Sequence, residues 1–187
     1  MRLNRPRIEP LPVNNWAEDI APLAERMRDG PLRRVVNLFK TLAHHPRALK
    51  RYITFANHII HSSLSDRERE ILILRTAWLC EAEYEWGHHV EIGKAAGLTA
   101  EEIVRIKAGR EAIRWSERER LLIEATNELH TDSFIAAPTW SALLGFYSTP
   151  QIVDIVFTVG NYTMLAMLLN SLGVQLDEGL VGFNGKV

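Results

Sequence analysis

The stretch "CEAEYEWGHHVEIGKAAGL", residues Cys80–Leu98, decides how the rest of the chain is interpreted. It gathers one thiol, four carboxylates, two adjacent histidines and two large aromatic side chains around one predicted helix, with Cys80 at the end of the helix before it. Residues four apart share a helical face, so the carboxylate of Glu85 can reach the imidazole of His89 and fix its tautomer. Such a pair is the smallest set of groups that can transfer a proton near neutral pH. The alternative is an exposed surface contact that adds only about 0.2–0.5 kcal/mol of stability.

Glu70 is the second acid that the pattern singles out. It shares the face of the preceding predicted helix with Ile73 and Ala77, and a carboxylate on an apolar stripe is costly unless it is paired or protonated. Arg67 and Arg69 are expected on the solvated face of that helix. Glu70 is therefore predicted to hold or relay a proton, although acids are also common in the first turn of a helix.

The candidate site combines these residues with their neighbours. His88 and His89 differ by about 100° around the helix, so one should face the cluster and the other solvent or a second subunit. Only two convergent metal ligands can be assigned and H-E-x-x-H is absent, so no metal and no cofactor are predicted. The catalytic candidates are Glu70, Glu85 and His89, and the pocket candidates are Cys80, Tyr84, Trp86, His88 and Tyr162.

The composition is that of an ordinary globular protein. The chain has 187 residues, 47% hydrophobic residues and a formal net charge of −1, which argues against a nucleic-acid-binding role. A single cysteine excludes an internal disulfide and suits the cytoplasm. The longest apolar run, Ile152–Val174, is interrupted by Asp154, Asn161 and Asn170, which favours a core helix over a membrane span.

Helical patterns dominate the chain, and an all-α fold is predicted. Residues 1–15 hold three prolines and are expected to be extended over a neighbour, and the helix that follows should end at Gly30. We therefore divide the chain into an arm with a first helix (1–30) and a helical domain (31–187). Capping boxes begin at Ser65, Thr99 and Ser116, and Thr149 is expected to cap a last helix.

Two segments of the chain are similar in sequence. "LSDREREILIL" (Leu64–Leu74) and "WSERERLLIEA" (Trp115–Ala125) align with an offset of 51 residues. They can be two halves of a duplicated helical hairpin, each covering the apolar face of the other. They can equally be two independent helix starts that share good capping chemistry.

Glu70 followed by "EYEWGHHVEIGKAAGL" resembles the carboxymuconolactone decarboxylase / alkylhydroperoxidase D-like (AhpD-like) family, over roughly Asn37–Leu176. The resemblance implies an all-α bundle of two related helical-hairpin halves that forms dimers, trimers or hexamers. The peroxidase branch of that family uses C-x-x-C-x-x-x-H with an upstream glutamate as a proton relay. In this sequence Ala82 and Glu85 stand at the two thiol positions, and Cys80 does not restore the pair.

The resemblance therefore implies acid–base chemistry of a lyase rather than thiol chemistry. The expected activity is cofactor-free decarboxylation or proton transfer on a lactone, keto acid or unsaturated acid, with His89 moving the proton. Two rivals stay open. One is an antioxidant peroxidase or peroxiredoxin-like protein in which Cys80 forms a sulfenic acid that an external thiol resolves. The other is a non-catalytic oligomeric binding module.

Overall fold

Helices account for nearly all the regular structure of the chain, as predicted. The computed structural model describes residues 2–29, 33–109 and 114–185, and these residues contain no strand. A short 3-10 helix, Val13–Asn15, precedes the α-helices. The helices are α1 Ala21–Asp29, α2 Asn37–Leu42, α3 Pro46–Ile60, α4 Asp66–Leu79, α5 Glu83–Ala95, α6 Ala100–Ala108, α7 Glu117–Asp132, α8 Ala137–Leu143 and α9 Thr149–Leu172.

The helix starts follow the capping chemistry of the sequence. All three predicted capping boxes are present, at Ser65, Thr99 and Ser116. The expected cap of the last helix is wrong by one residue, because Ser148 caps α9 and its backbone N–H donates to Gln151 Oε1 at 3.0 Å. The predicted end of the first helix at Gly30 lies outside the described residues.

Helix α4 is the centre of the fold and packs against α5, α7 and α9. Its middle turns, Ile71–Leu74, are at most 1% exposed, so this helix is buried on nearly every side. One apolar core joins α4 to α6, α7 and α8, and a second joins it to α1, α2, α3 and the C-terminal half of α9. Each fully buried leucine or isoleucine contributes about 1.5–3 kcal/mol. Polar side chains on α4 are consequently held inside the molecule.

Two ion pairs join the first turn of α4 to the first turn of α7. Arg67 Nε donates to Glu119 Oε1 at 3.0 Å, and Arg118 Nε donates to Glu68 Oε1 at 2.5 Å. Both arginines and both glutamates are related by the offset of 51 residues. Each helix therefore gives an arginine to the equivalent glutamate of the other helix. This symmetry supports two related halves over two unrelated helix starts. Arg67 was expected on the solvated face; its side chain is 30% exposed and is also paired with Glu102.

The N-terminal arm packs on its own chain, and its expected contact with a neighbouring subunit stays a prediction. Arg7 N donates to the carbonyl of Leu172 at 2.9 Å, and Leu11 N donates to the carbonyl of Lys40 at 3.1 Å. The arm's Trp16 is only 6% exposed in the second apolar core. The arm thus covers the end of α9 and the side of α2.

Helix α9 supplies buried polar as well as apolar side chains. It is the one helix in the described part of the chain that is long and apolar enough to cross a membrane, judged by length and composition alone. It packs against α3, α4, α5 and α7, and its Asp154 and Asn161 are buried among them. The burial of Asp154 and Asn161 agrees with the prediction of a core helix.

Candidate active site

A cavity of about 390 Å³ lies between α2, α3, α4, α5 and α9. This volume is in the range of small-molecule sites, and half of the lining residues are apolar. The other half carry polar groups. These are Tyr52, Arg69, Glu70, Tyr84, Glu85, His88, His89 and Tyr162.

His89 is held by Glu70, which reaches it from the neighbouring helix. His89 Nδ1 lies 2.7 Å from Glu70 Oε2, and Glu70 is 1% exposed. A carboxylate only accepts hydrogen bonds, so it fixes the tautomer with the proton on Nδ1 and the lone pair on Nε2. The ring of Tyr162 meets the imidazole edge to face, with ring centres 5.0 Å apart. The site thus contains a carboxylate–imidazole pair with one ring nitrogen left for a ligand.

Glu85 does not orient His89, and this expectation is wrong. Both carboxyl oxygens of Glu85 are buried without a hydrogen-bond partner among the described residues, and the residue is 2% exposed. Burial raises the pKa of Glu85 well above its ordinary value. Glu70 takes the place expected of Glu85 because α4 packs directly on α5 and offers an acid to the same ring. Burial therefore favours the neutral form of Glu85 in the cavity wall.

Arg69 is part of the cavity, although it was expected in solvent. It is 7% exposed, its Nη2 donates to Asp66 Oδ1 at 2.8 Å, and its Nε lies 3.9 Å from Glu70 Oε1. Helix α4 is buried on nearly every side, so a position about 100° from Glu70 is still inside the molecule. Arg69 brings a positive charge to the cavity wall beside the Glu70 carboxylate.

His88 also lines the cavity, so the expectation that only one of the two histidines faces the cluster is wrong. His88 Nε2 lies 3.0 Å from Asp177 Oδ2, which also accepts from the hydroxyl of Tyr84 at 2.7 Å. Burial alone would raise the pKa of Asp177, but the hydrogen bonds from His88, Tyr84 and the Asn37 N–H hold it below its ordinary value. No local pattern pointed to Asp177, because it lies in the irregular segment that follows α9.

Two of the five pocket candidates lie elsewhere. Cys80 ends α4, with its Sγ 3.7 Å from His130 Nδ1, and burial raises the pKa of its thiol. Trp86 is fully buried on the other side of α5, where it packs against Trp78 and Phe183. A raised thiol pKa reduces the reactive thiolate, so Cys80 has neither the place nor the chemistry of a cavity nucleophile. The remaining candidates, Tyr84, His88 and Tyr162, do line the cavity.

Metal-ligating side chains are not grouped in the described part of the chain. Within residues 2–29, 33–109 and 114–185, no set of three or more histidine, cysteine, aspartate or glutamate side chains is arranged to hold a metal ion. The two imidazoles at the cavity are each bound to a different carboxylate. The cavity therefore offers proton-transfer groups and one buried cation.

The family resemblance is confirmed by comparison with known proteins. The sequence profile of the Carboxymuconolactone decarboxylase family matches residues 46–128, a segment that contains Glu70, Glu85 and His89. Comparison with the sequences of curated proteins returns no significant match.

Solved structures share the fold at low sequence identity. A peroxidase-related protein with an alkylhydroperoxidase AhpD core, from Ralstonia eutropha JMP134, aligns with a TM-score of 0.83 at 16% identity, covering 92% of this chain and 93% of the other. A protein of unknown function from Agrobacterium tumefaciens, described as a candidate antioxidant defence protein AhpD, gives a TM-score of 0.69 at 20% identity, covering 73% of this chain and 94% of the other. The debrominase Bmp8, in complex with 2,3,4-tribromopyrrole, gives 0.78 at 13% identity, covering 91% of each chain.

Proposed function

We propose that this chain, which matches the profile of the carboxymuconolactone decarboxylase family over residues 46–128 and shares the fold of AhpD-like proteins, is a cofactor-free lyase or isomerase. It moves a proton, or releases carbon dioxide, at a carbon next to a carbonyl group of a small organic acid or lactone. The observation that carries the proposal is the 2.7 Å contact between His89 Nδ1 and Glu70 Oε2 at the wall of the cavity.

In the proposed reaction, Nε2 of His89 exchanges a proton with the substrate carbon. The Glu70 carboxylate stabilises the imidazolium that forms and keeps the ring in place. Groups that act in this way typically accelerate a reaction by about 10²–10⁴-fold. His89 is therefore proposed as the base and Glu70 as its partner, and the role of orienting His89 passes from Glu85 to Glu70.

The cavity walls restrict the substrate class. Arg69 can pair with a carboxylate, and its guanidinium is the one cationic side chain that is always charged among the residues lining the cavity. The apolar residues Leu38, Phe39, Ile92 and Leu165 leave room for a compact hydrocarbon skeleton. A small lactone, keto acid or unsaturated acid with one or two polar groups fits these walls.

A substrate screen tests this proposal. The wild type and His89→Gln are incubated with a panel of γ-lactones, β-keto acids and unsaturated dicarboxylic acids, and consumption is followed by mass spectrometry. We expect at least one compound to be consumed by the wild type and consumed at least about 100-fold more slowly by His89→Gln. Consumption that is equal in both proteins would reject the acid–base site.

We also propose that the protein is a homo-oligomer in the cytoplasm. One face of α9 carries exposed residues at positions 153, 157, 160, 164 and 167, of which 160 is a glycine and the others are apolar side chains. They have the alternating spacing of four and three that helices use to pack together. Phe157 of this face meets the exposed Phe55 of α3 edge to face, with ring centres 5.6 Å apart. An apolar stripe of this length on a monomer fits a second copy of the same helix.

A further inference from the structure

We propose that Glu85 is the hydrogen-bond donor for the substrate's carbonyl oxygen, so that the cavity selects compounds in which that oxygen sits next to the reacting carbon. This inference rests on the proposed function and adds to it a second catalytic group and the orientation of the substrate. It assigns to Glu85 a role different from the one expected from its spacing with His89.

The first support is the unused hydrogen-bonding capacity of Glu85. Its side chain is in the cavity wall, is 2% exposed and has no partner for either oxygen among the described residues. Buried polar atoms are nearly always paired, and an unpaired one points to a group that is absent from the free protein. A ligand oxygen in the cavity would supply that partner.

The second support is the set of groups around Glu85. Tyr52 on α3, Tyr162 on α9 and Cys80 at the end of α4 are near enough for a charge on Glu85 to raise their pKa values, and all three are neutral at ordinary pH. Burial is the cause that acts on Glu85 itself, with no compensating cation. Glu85 therefore carries its proton and can donate it, as protonated carboxyls do in apolar sites.

The third support is the position of Glu85 relative to His89. Both line the cavity from α5, and a spacing of four residues places their β-carbons about 5–6 Å apart on one face. A donor and a base at this separation can contact neighbouring atoms of one small molecule. The oxygen of the substrate would lie at Glu85 and the adjacent carbon at Nε2 of His89.

The chemistry balances with these two groups alone. In proton transfer, the C–H bond breaks, an N–H bond forms at His89 Nε2, and the electron pair moves onto the carbonyl oxygen, which Glu85 stabilises by its O–H donor. The proton then returns to carbon and the oxygen regains its double bond. In decarboxylation, Nε2 of His89 first takes the proton of the substrate's carboxyl group. The C–C bond then breaks and releases carbon dioxide, its electron pair moves onto the same oxygen, and His89 returns the proton to carbon as the C=O bond re-forms. Neither route oxidises or reduces the substrate.

The test uses 4-nitrophenol, whose phenolate is a planar oxyanion like an enolate and whose ionisation is visible by absorbance. Its binding is titrated against the wild type, Glu85→Gln, Glu85→Leu and the control Glu91→Gln. Glu91 lies on the same helix but pairs with Lys94 at the surface, outside the cavity. We expect Glu85→Leu to weaken binding by about 10-fold or more, because it removes one hydrogen bond to a charged oxygen. Glu85→Gln keeps a donor and should bind within about 3-fold of the wild type.

Infrared difference spectra of the wild type against Glu85→Gln provide the second readout, which needs no ligand. We expect the wild type at neutral pH to show the carbonyl band of a protonated carboxyl that Glu85→Gln lacks. Absence of that band, equal binding of 4-nitrophenol by wild type and Glu85→Leu, or no binding by the wild type at millimolar concentration would each overturn the proposal. If 4-nitrophenol binding depends on Glu85 but no compound is turned over in a way that depends on His89, the oxygen-binding role of Glu85 is supported and the proposed reaction is rejected.

Discussion

His89 and Glu70 are joined by a contact of 2.7 Å between Nδ1 and Oε2, although they stand on different helices and are 19 residues apart. The contact sits in the wall of the cavity and leaves Nε2 of the imidazole available. A pair held between two packed helices is more rigid than one within a single helix, because core packing fixes both side chains. The predictions below follow from this arrangement and from the surroundings of the pair.

The buried acid Glu85 should make stability fall as pH rises. Its folded-state pKa is raised above the ordinary value of 4.5, so above pH 4.5 the folded chain holds a proton that the unfolded chain has released. The stabilising contribution is complete below pH 4.5. It is lost as pH rises from 4.5 to the folded-state pKa, where the free energy of unfolding falls by no more than about 1.4 kcal/mol per pH unit. Glu85→Gln removes this dependence. Urea unfolding of both proteins from pH 4 to 8 should show Glu85→Gln gaining stability relative to the wild type.

The matched control for this experiment is Glu91→Gln, because the Glu91 side chain is 63% exposed. Its difference from the wild type should stay nearly constant over the same pH range. A Glu85→Gln difference that is equally flat would mean that Glu85 is ionised in the folded protein, against our account.

Cys80→Ser should leave both the fold and the turnover nearly intact. Cys80 lies outside the cavity, and the raised pKa of its thiol lowers the fraction of thiolate. We expect turnover within about 2-fold of the wild type and no dithiol-dependent reduction of hydroperoxides by either protein. Loss of turnover in Cys80→Ser, or trapping of a Cys80 sulfenic acid during catalysis, would favour the peroxidase alternative.

Arg67→Met should destabilise the protein, and the loss should shrink in acid. Arg67 binds Glu102 and Glu119, and its hydrogen bond to Glu102, the largest cause, holds the pKa of that carboxyl at about 2. We expect a loss of about 1–3 kcal/mol at neutral pH for this partly buried network. Because the Glu102 pKa is depressed, the contribution is present above pH 4.5 and disappears as pH falls toward 2.

Lys94→Gln is the control for Arg67→Met, since its pair with Glu91 is exposed and should contribute less than about 1 kcal/mol. Thermal unfolding at pH 7 and pH 3 measures both variants. Equal losses for Arg67→Met and Lys94→Gln would show that the ion pairs between α4 and α7 do not hold the two halves together.

Phe157→Glu should dissociate the proposed oligomer. Phe157 is 45% exposed in the middle of the apolar stripe of α9, and a buried carboxylate opposite its own copy is strongly unfavourable. Light scattering at micromolar concentration should give a multiple of 21.3 kDa for the wild type and 21.3 kDa for Phe157→Glu. Val104→Glu, on the exposed side of α6, should keep the wild-type mass. A wild type of 21.3 kDa would contradict the proposal.

The sequence predicted the helices well because their signals are local. Capping boxes at Ser65, Thr99 and Ser116 and the apolar periodicity depend only on neighbours within one or two turns. The burial of Glu70 was predictable for the same reason, since it shares a face with apolar residues.

The partners within the site were not predictable, because they depend on how helices pack. Spacing along α5 suggested that Glu85 binds His89, whereas packing of α4 on α5 brings Glu70 to the ring. Arg69 was expected in solvent because most helices have a solvent-exposed face, whereas α4 is buried on nearly every side. Asp177 carries no local pattern, and only the path of the chain after α9 brings it to His88.

Deuterium incorporation tests the central claim most directly. A compound from the lactone and keto-acid panel is incubated in D₂O with the wild type, Glu70→Gln, His89→Gln and the double variant, and exchange at the carbon next to the carbonyl is followed by NMR. We predict that each single variant slows exchange by about 10²–10⁴-fold and that the double variant is no slower than His89→Gln, because the two groups act as one unit. Exchange at the wild-type rate in His89→Gln, or losses that simply multiply in the double variant, would contradict the account.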